Sequence, residues 1–200
     1  MTRRPPRFLT AAAGAAASIF LVAHGADGLD RRGSGNPDAT VRAFHERVES
    51  YIVLRHQVAP LAQALGRNDP LSQFVRERYL AEAIRATRSD ARQGDIFTPA
   101  VEALFRQLVA DSIGERDGEA FLAELGGGEV APRGLHPTVN EAYSMTRVFR
   151  LPADVRLGLP LLPSELDYRV AGHDLLVWDI GAGIVVDFLP DAFVTRIVTE

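Results

Sequence analysis

The chain has 200 residues, with 22 basic and 26 acidic side chains, a formal net charge of −4, and no cysteine. Every basic residue is arginine, so lysine Schiff-base chemistry is excluded, and the lack of cysteine excludes disulfides, thiolate metal sites and cysteine nucleophiles. The acidic balance argues against non-specific binding to nucleic acid, and the length suits one domain with a substantial core.

The chain begins with Arg3, Arg4 and Arg7, followed by a nearly continuous apolar run over Phe8–Ala23 and no acid before Asp27. This is the pattern of an export signal: cationic residues stay on the cytoplasmic side while an apolar segment enters the translocation machinery. The run has sixteen residues, short of the roughly 20 that span a bilayer as a helix. Ala23-His24-Gly25 places small residues where a signal peptidase reads, so residues 1–25 are expected to be a signal peptide cleaved before Ala26. The alternative is a retained leader that anchors the domain, the only expected contact with membrane. Without residues 1–25 the chain keeps 19 arginines against 26 acids, a net charge of −7. The expected location is periplasmic or secreted.

Residues 26–36 are rich in glycine and mixed charge and read as a flexible linker; residues 37–200 are expected to form a single α+β domain. Pro37 opens a first helix, in which Val41, Phe44, Val48, Tyr51 and Ile52 make one apolar stripe, and Pro60 is expected to end or kink it. Asp69-Pro70 starts a second helix running to about Thr87, with Leu71, Phe74, Val75, Ala83 and Ile84 as its apolar positions. Thr98-Pro99 starts a third, with Val101, Leu104, Phe105, Leu108, Val109 and Ile113 on one face. A shorter helix is expected over Gly118–Leu125, stopped by Gly126-Gly127-Gly128.

Beyond this point prolines recur at 132, 137, 152, 160 and 163, a spacing that suits extended connections and not helix. Three runs of β-formers follow, Leu166–Ala171, Asp174–Ile180 and Ile184–Leu189, broken by Gly172-His173 and Gly181-Ala182-Gly183 as hairpin turns. In the first, Leu166, Tyr168 and Val170 alternate with Asp167 and Arg169, as in a half-buried strand. The expected fold is α+β: N-terminal helices packed on a small C-terminal antiparallel β-meander.

Several groups of residues are candidates for chemistry. His45 and Glu49 lie one helical turn apart, and His56 follows eleven residues after His45, so all three can share a face as metal ligands. The second histidine of the zinc-protease H-E-x-x-H pattern is missing. If Gly183 centres the last turn, Asp179 and Asp187 face each other across two strands, an arrangement that asks for a cation or a shared proton. Arg78, Arg85, Arg88 and Arg92 follow helical spacing and offer guanidinium forks to an oxyanion. Trp178, Phe188 and Tyr168 suggest an aromatic platform, against the ordinary use of such residues as core. Gly181-Ala182-Gly183 is not a dinucleotide loop, because these glycines precede a strand where a phosphate loop precedes a helix. No nucleophile-elbow pattern occurs.

The segment Arg85-Ala86-Thr87-Arg88 through Ala91-Arg92-Gln93-Gly94-Asp95-Ile96-Phe97-Thr98-Pro99, then Phe105-Arg106, resembles one that recurs in uncharacterised exported proteins of environmental bacteria. Leu159-Pro160, Leu162-Pro163, Leu166-Asp167-Tyr168-Arg169 and Ile184-Val185-Val186-Asp187-Phe188 resemble the tail of the same group. That resemblance implies export and a single domain and carries no activity, ligand or site residue with it. The sequence thus leads to a non-catalytic binding or interaction domain without a cofactor, whose partner is an envelope protein or a small ligand. The alternative is a metal-dependent or carboxylate-based hydrolase of the cell envelope, with His45, Glu49 and His56, or Asp179 and Asp187, as its site.

Overall fold

The computed structural model describes residues 36–63, 70–126, 132–142 and 147–193, all within one unit, Ser34–Glu200. The leader, residues 26–35 of the linker, the Asp69 cap and Gly127-Gly128 lie outside the described residues.

Helix α1 spans Pro37–Gln63. Asn36 caps it: its Oδ1 accepts the Asp38 amide at 3.0 Å, while Pro37 has no amide to satisfy. Phe44, Val48, Tyr51, Ile52 and Val58 are its buried face. Pro60 lies inside the helix, which continues to Gln63, so of the end or kink expected there the end does not occur. Helix α2 covers Pro70–Thr87, with the expected end, but buries Leu80, Ala81 and Ile84 and leaves Phe74 and Tyr79 exposed. Helix α3 covers Pro99–Ile113 and buries Val101, Phe105, Val109 and Ile113, one residue per turn. Helix α4 covers Gly118–Leu125, capped by Asp117, whose side chain accepts the Ala120 amide.

Strand β1, Phe149–Arg150, and the one-and-a-half-turn helix α5, Ala153–Leu157, were not legible among the prolines. Pro152 stands as the N-cap of α5, so here proline starts a helix in a stretch expected to be extended. Strands β2 (Leu166–Ala171), β3 (Asp174–Asp179) and β4 (Ile184–Leu189) then form the meander, and the sheet has the antiparallel order β1-β2-β3-β4.

Helices and sheet meet on one face of the sheet. Leu166, Tyr168 and Val170 of β2, Leu175 and Val177 of β3, and Ile184, Val186 and Leu189 of β4 join the buried side chains of α1 to α5 in one core. At its centre Phe44 and Phe105 lie 4.8 Å apart between ring centroids, and Phe97 meets Phe105 edge-on at 5.1 Å. The opposite face is covered too: Val139 and Val148 pack on Ala171, Leu176, Trp178, Val185 and Phe188. For this reason β3 and β4 are buried along their whole length, and Arg169, expected in solvent, is 5 % exposed beside Asp167. Trp178 and Phe188 therefore lie in the core of the second face and Tyr168 in that of the first, so the three form no platform.

The β3–β4 pairing carries the main departure from expectation. Asp179 pairs with Ile184, Trp178 with Val185, and Val177 with Asp187, with an irregularity between Val177 and Trp178. Val186 is the extra residue of a β-bulge, and it puts Val186 and Asp187 on the same, helix-facing side. Asp179 and Asp187 do not face each other. Without the bulge Asp187 would fall opposite Leu176, on the other face.

Candidate functional site

Each buried carboxylate on the helix side of the sheet is fully hydrogen-bonded. Asp179, at the end of β3, is 0 % exposed. Its Oδ2 accepts from the Tyr51 hydroxyl at 2.7 Å and from Arg55 Nε at 2.7 Å, and its Oδ1 accepts the Gly181 and Ala182 amides of the turn. Burial and the adjacent carboxylate push the Tyr51 hydroxyl far above its ordinary pKa, so it remains a donor. Asp187 accepts from Gly94 and Phe188 with Oδ1, and from Ile96 and Phe97 with Oδ2, at 2.7–3.0 Å. Burial pushes its carboxyl above the usual range, and those four amides pull the other way. The Gly94–Phe97 segment and the β4 strand, distant in sequence, are thus fastened together by one carboxylate. Its chemistry is structural: a saturated carboxylate has no lone pair left to offer a substrate or cation.

Arg78 and Arg85 of α2 and Arg88 just beyond it are also taken up. Arg85 Nε donates to the Asn140 carbonyl and Arg88 Nη1 to Asn140 Oδ1, both at 2.8 Å, while the Arg88 guanidinium lies over the Tyr51 ring. Burial lowers the pKa of Arg88. Together they hold Asn140, whose φ of 64° is left-handed, against the edge of β4. Arg78 pairs with Glu82 on the surface, and Arg92 offers its amide to Asp95. His45 and Glu49 are exposed on α1, whereas His56 is drawn to Glu165 at 3.0 Å. The structure does not gather the three as ligands, and among the described residues no cluster of three or more histidines and acids is placed to hold a metal ion.

A histidine–carboxylate pair was missed by the sequence reading. Asp174, 1 % exposed, bonds through Oδ2 to His136 Nδ1 at 2.9 Å and through Oδ1 to the Asp191 amide. The His136 ring stacks on Phe188. Desolvation raises the Asp174 carboxyl above its ordinary value, with the His136 bond opposing. Nearby in the chain, His173 and Arg133 both bond Glu119 and hold its carboxyl below the usual range, the Arg133 bond first. Such pairs orient an imidazole, but here the carboxylate also fixes the turn after β4.

That turn forms one wall of a cleft of about 740 Å³ between α3 and residues 191–193. The turn is pinned on several sides. Arg106 of α3 donates Nη1 to the Asp191 carbonyl at 3.0 Å and Nη2 to the Pro190 carbonyl at 2.7 Å. Phe193 stacks on Phe121 of α4, and Gly118 lies so close that a Cβ there would come within 1.6 Å of the Phe193 carbonyl oxygen. Arg106 and Arg116 line the cleft with Ala110, Ile113, Asp191 and Phe193. Asp191 has a φ of 49°, strained for a non-glycine residue, and its Oδ1 is buried without a hydrogen-bond partner. A volume near 740 Å³ falls within the size of small-molecule sites. One sequence signal marked this face: Ala103, Arg106 and Ala110 follow helical spacing, with small residues flanking an arginine.

Comparison with protein-family models, with curated proteins and with solved structures returns no match to this chain. Among the described residues no helix is long and apolar enough to cross a membrane.

Proposed function

We propose that the protein is an exported domain, periplasmic or secreted, that acts by binding a small ligand in the cleft between α3 and residues 191–193. Export rests on Arg3, Arg4 and Arg7 ahead of the apolar run Phe8–Ala23, as in exported bacterial proteins. Binding rests on one contrast above all. Asp179 and Asp187 spend every lone pair on the fold, whereas the cleft combines about 740 Å³ of space with the guanidinium groups of Arg106 and Arg116 and the apolar side chains of Ala110, Ile113 and Phe193. A concave, partly apolar site with a few converging polar groups is the arrangement that retains small ligands.

Native mass spectrometry of protein isolated from its own envelope fraction tests both halves. The expected species begins at Ala26 and carries a small-molecule adduct. Ala110→Trp fills the cleft from the exposed side of α3 and is expected to abolish that adduct while leaving stability within about 0.5 kcal/mol. Full-length protein free in the cytosol overturns export. A bare native protein, or an adduct indifferent to Ala110→Trp, overturns the cleft.

A further inference from the structure

Resting on the cleft as the binding site, we infer that its ligand is an anion with an apolar body, a small monocarboxylate whose head group is held by Arg106. Among the described residues, the charged side chains that line the cleft are Arg106, Arg116 and Asp191. The Asp191 Oδ1 is shut away from solvent, and its charge is felt by Arg133, which is not a lining residue. The cleft thus offers a ligand two guanidinium groups against one carboxylate that is partly withdrawn. Ala110, Ile113 and Phe193 give it an apolar surface. A positive balance over an apolar wall selects for an amphiphilic anion.

Arg106 is the anchor because its charge is fixed in place and has no counter-ion. Its Nη1 donates to the Asp191 carbonyl at 3.0 Å and its Nη2 to the Pro190 carbonyl at 2.7 Å. Among the described residues no carboxylate stands within ion-pair distance of it. Carbonyls orient a guanidinium but leave its charge unneutralised. Of its five N–H donors, two are spent on these carbonyls and three remain for an oxyanion. The fork is already held, so little freedom is lost when a carboxylate meets it. Arg116 is engaged differently: it pairs with Asp154, donates to the Ile113 and Ser112 carbonyls, and lies over the Phe121 ring. Its charge is answered by the protein, so it bounds the cleft and adds to the positive potential. From position 106 to position 113 the helix rises about 10 Å, and Ala110, Ile113 and Phe193 line the cleft with apolar surface beyond the anchor. An ammonium would face two guanidinium groups, and an uncharged head would leave the Arg106 charge without a counter-ion.

Isothermal titration of the protein, purified free of adduct, with octanoate, octanamide, octylammonium and acetate tests this. Octanoate is expected to bind, with octanamide weaker by about tenfold or more because it lacks the charge that Arg106 pairs with. Octylammonium, with the wrong charge, and acetate, with a head and no body, are expected to be weaker still. Arg106→Gln keeps a donor for the turn carbonyls and removes the charge. It is expected to weaken octanoate by about tenfold or more while leaving octanamide within about twofold. The octanoate-to-octanamide ratio on the unsubstituted protein is a test that needs no variant to fold. Octanamide or octylammonium binding as tightly as octanoate overturns the anionic class; where that binding is lost in Ala110→Trp, the cleft itself stands. Unchanged octanoate affinity in a folded Arg106→Gln protein overturns Arg106 as the anchor. If octanoate does not bind, the inference falls: a native adduct lost in Ala110→Trp then keeps the cleft, and a bare native protein takes the cleft with it.

Discussion

Asp187 and Asp191 stand four residues apart at the end of one strand, and the fold treats their carboxylates in opposite ways. Asp187 is wholly buried inside the sheet and is met by four amides. Asp191 lies in the turn, its Oδ1 buried and unanswered, beside an open cleft. The first shows what a buried charge requires in order to persist: donors for every lone pair, supplied here by a loop that the carboxylate in return holds in place. The second shows the opposite, a buried acceptor left unpaired in a turn, a cost that the rest of the fold has to offset.

The comparison breaks most directly at Asp187. Asp187→Ala strands four buried amides and is expected to cost about 3–5 kcal/mol in urea or guanidinium unfolding. A loss below about 1 kcal/mol would mean that the loop does not depend on this carboxylate. Tyr51→Phe removes one of the donors of Asp179 while keeping the ring under Arg88, and is expected to cost about 2 kcal/mol in the same measurement. The Asp191→Asn variant should instead leave stability within about 0.5 kcal/mol, because its Oδ1 bonds nothing in the protein. If Asp191→Asn proved as damaging as Asp187→Ala, the contrast between the two carboxylates would be lost.

Asp174 sharpens the comparison through pH. Burial raises its carboxyl in the folded state, so on leaving strong acid the unfolded chain releases this proton first. Between the ordinary carboxylate value, about 3.9, and the raised folded value, the native state holds the extra proton, and stability contributed by this group falls as pH rises. Asp174→Asn is expected to flatten that part of the stability–pH profile, a smaller change than the mutational losses above. A profile of unchanged slope would show that Asp174 titrates as it does in the unfolded chain. His136→Ala, which removes the main opposing interaction, should move the Asp174 titration upward in side-chain NMR.

Much of the fold was legible because it is local. The start of α1 at Pro37, the end of α2 at Thr87, the start of α3 at Pro99, the whole span of α4 and the two glycine-containing turns follow from caps, prolines and glycines acting on their neighbours. Gly183, at φ 64°, takes the left-handed conformation that its turn needs. What failed was the placement of a residue relative to distant chain. Pro60 does not end α1, and Phe74 shows that an apolar residue on a helical stripe need not find a core. The second face of the sheet was not foreseeable as buried, because its cover comes from the proline-rich stretch around Val139 and Val148, which has no periodicity of its own.

The sequence alone therefore determined the α+β class, the order of the major elements, and the excluded chemistries of cysteine and lysine. It also contained the charged and apolar opening that the proposed export rests on. Only the tertiary structure decided the roles of the charged residues. One extra residue in β4 turned Asp187 toward the helices, and packing of the 190–193 turn on α3 and α4 set Asp191 beside two arginines from elsewhere in the chain. The physical reason is one of range. Caps and turns are governed by steric and hydrogen-bond preferences within a few residues. Strand register and the partners of a buried carboxylate depend on which distant amide, guanidinium or hydroxyl the packed core brings within about 3 Å, and no spacing along the chain records that.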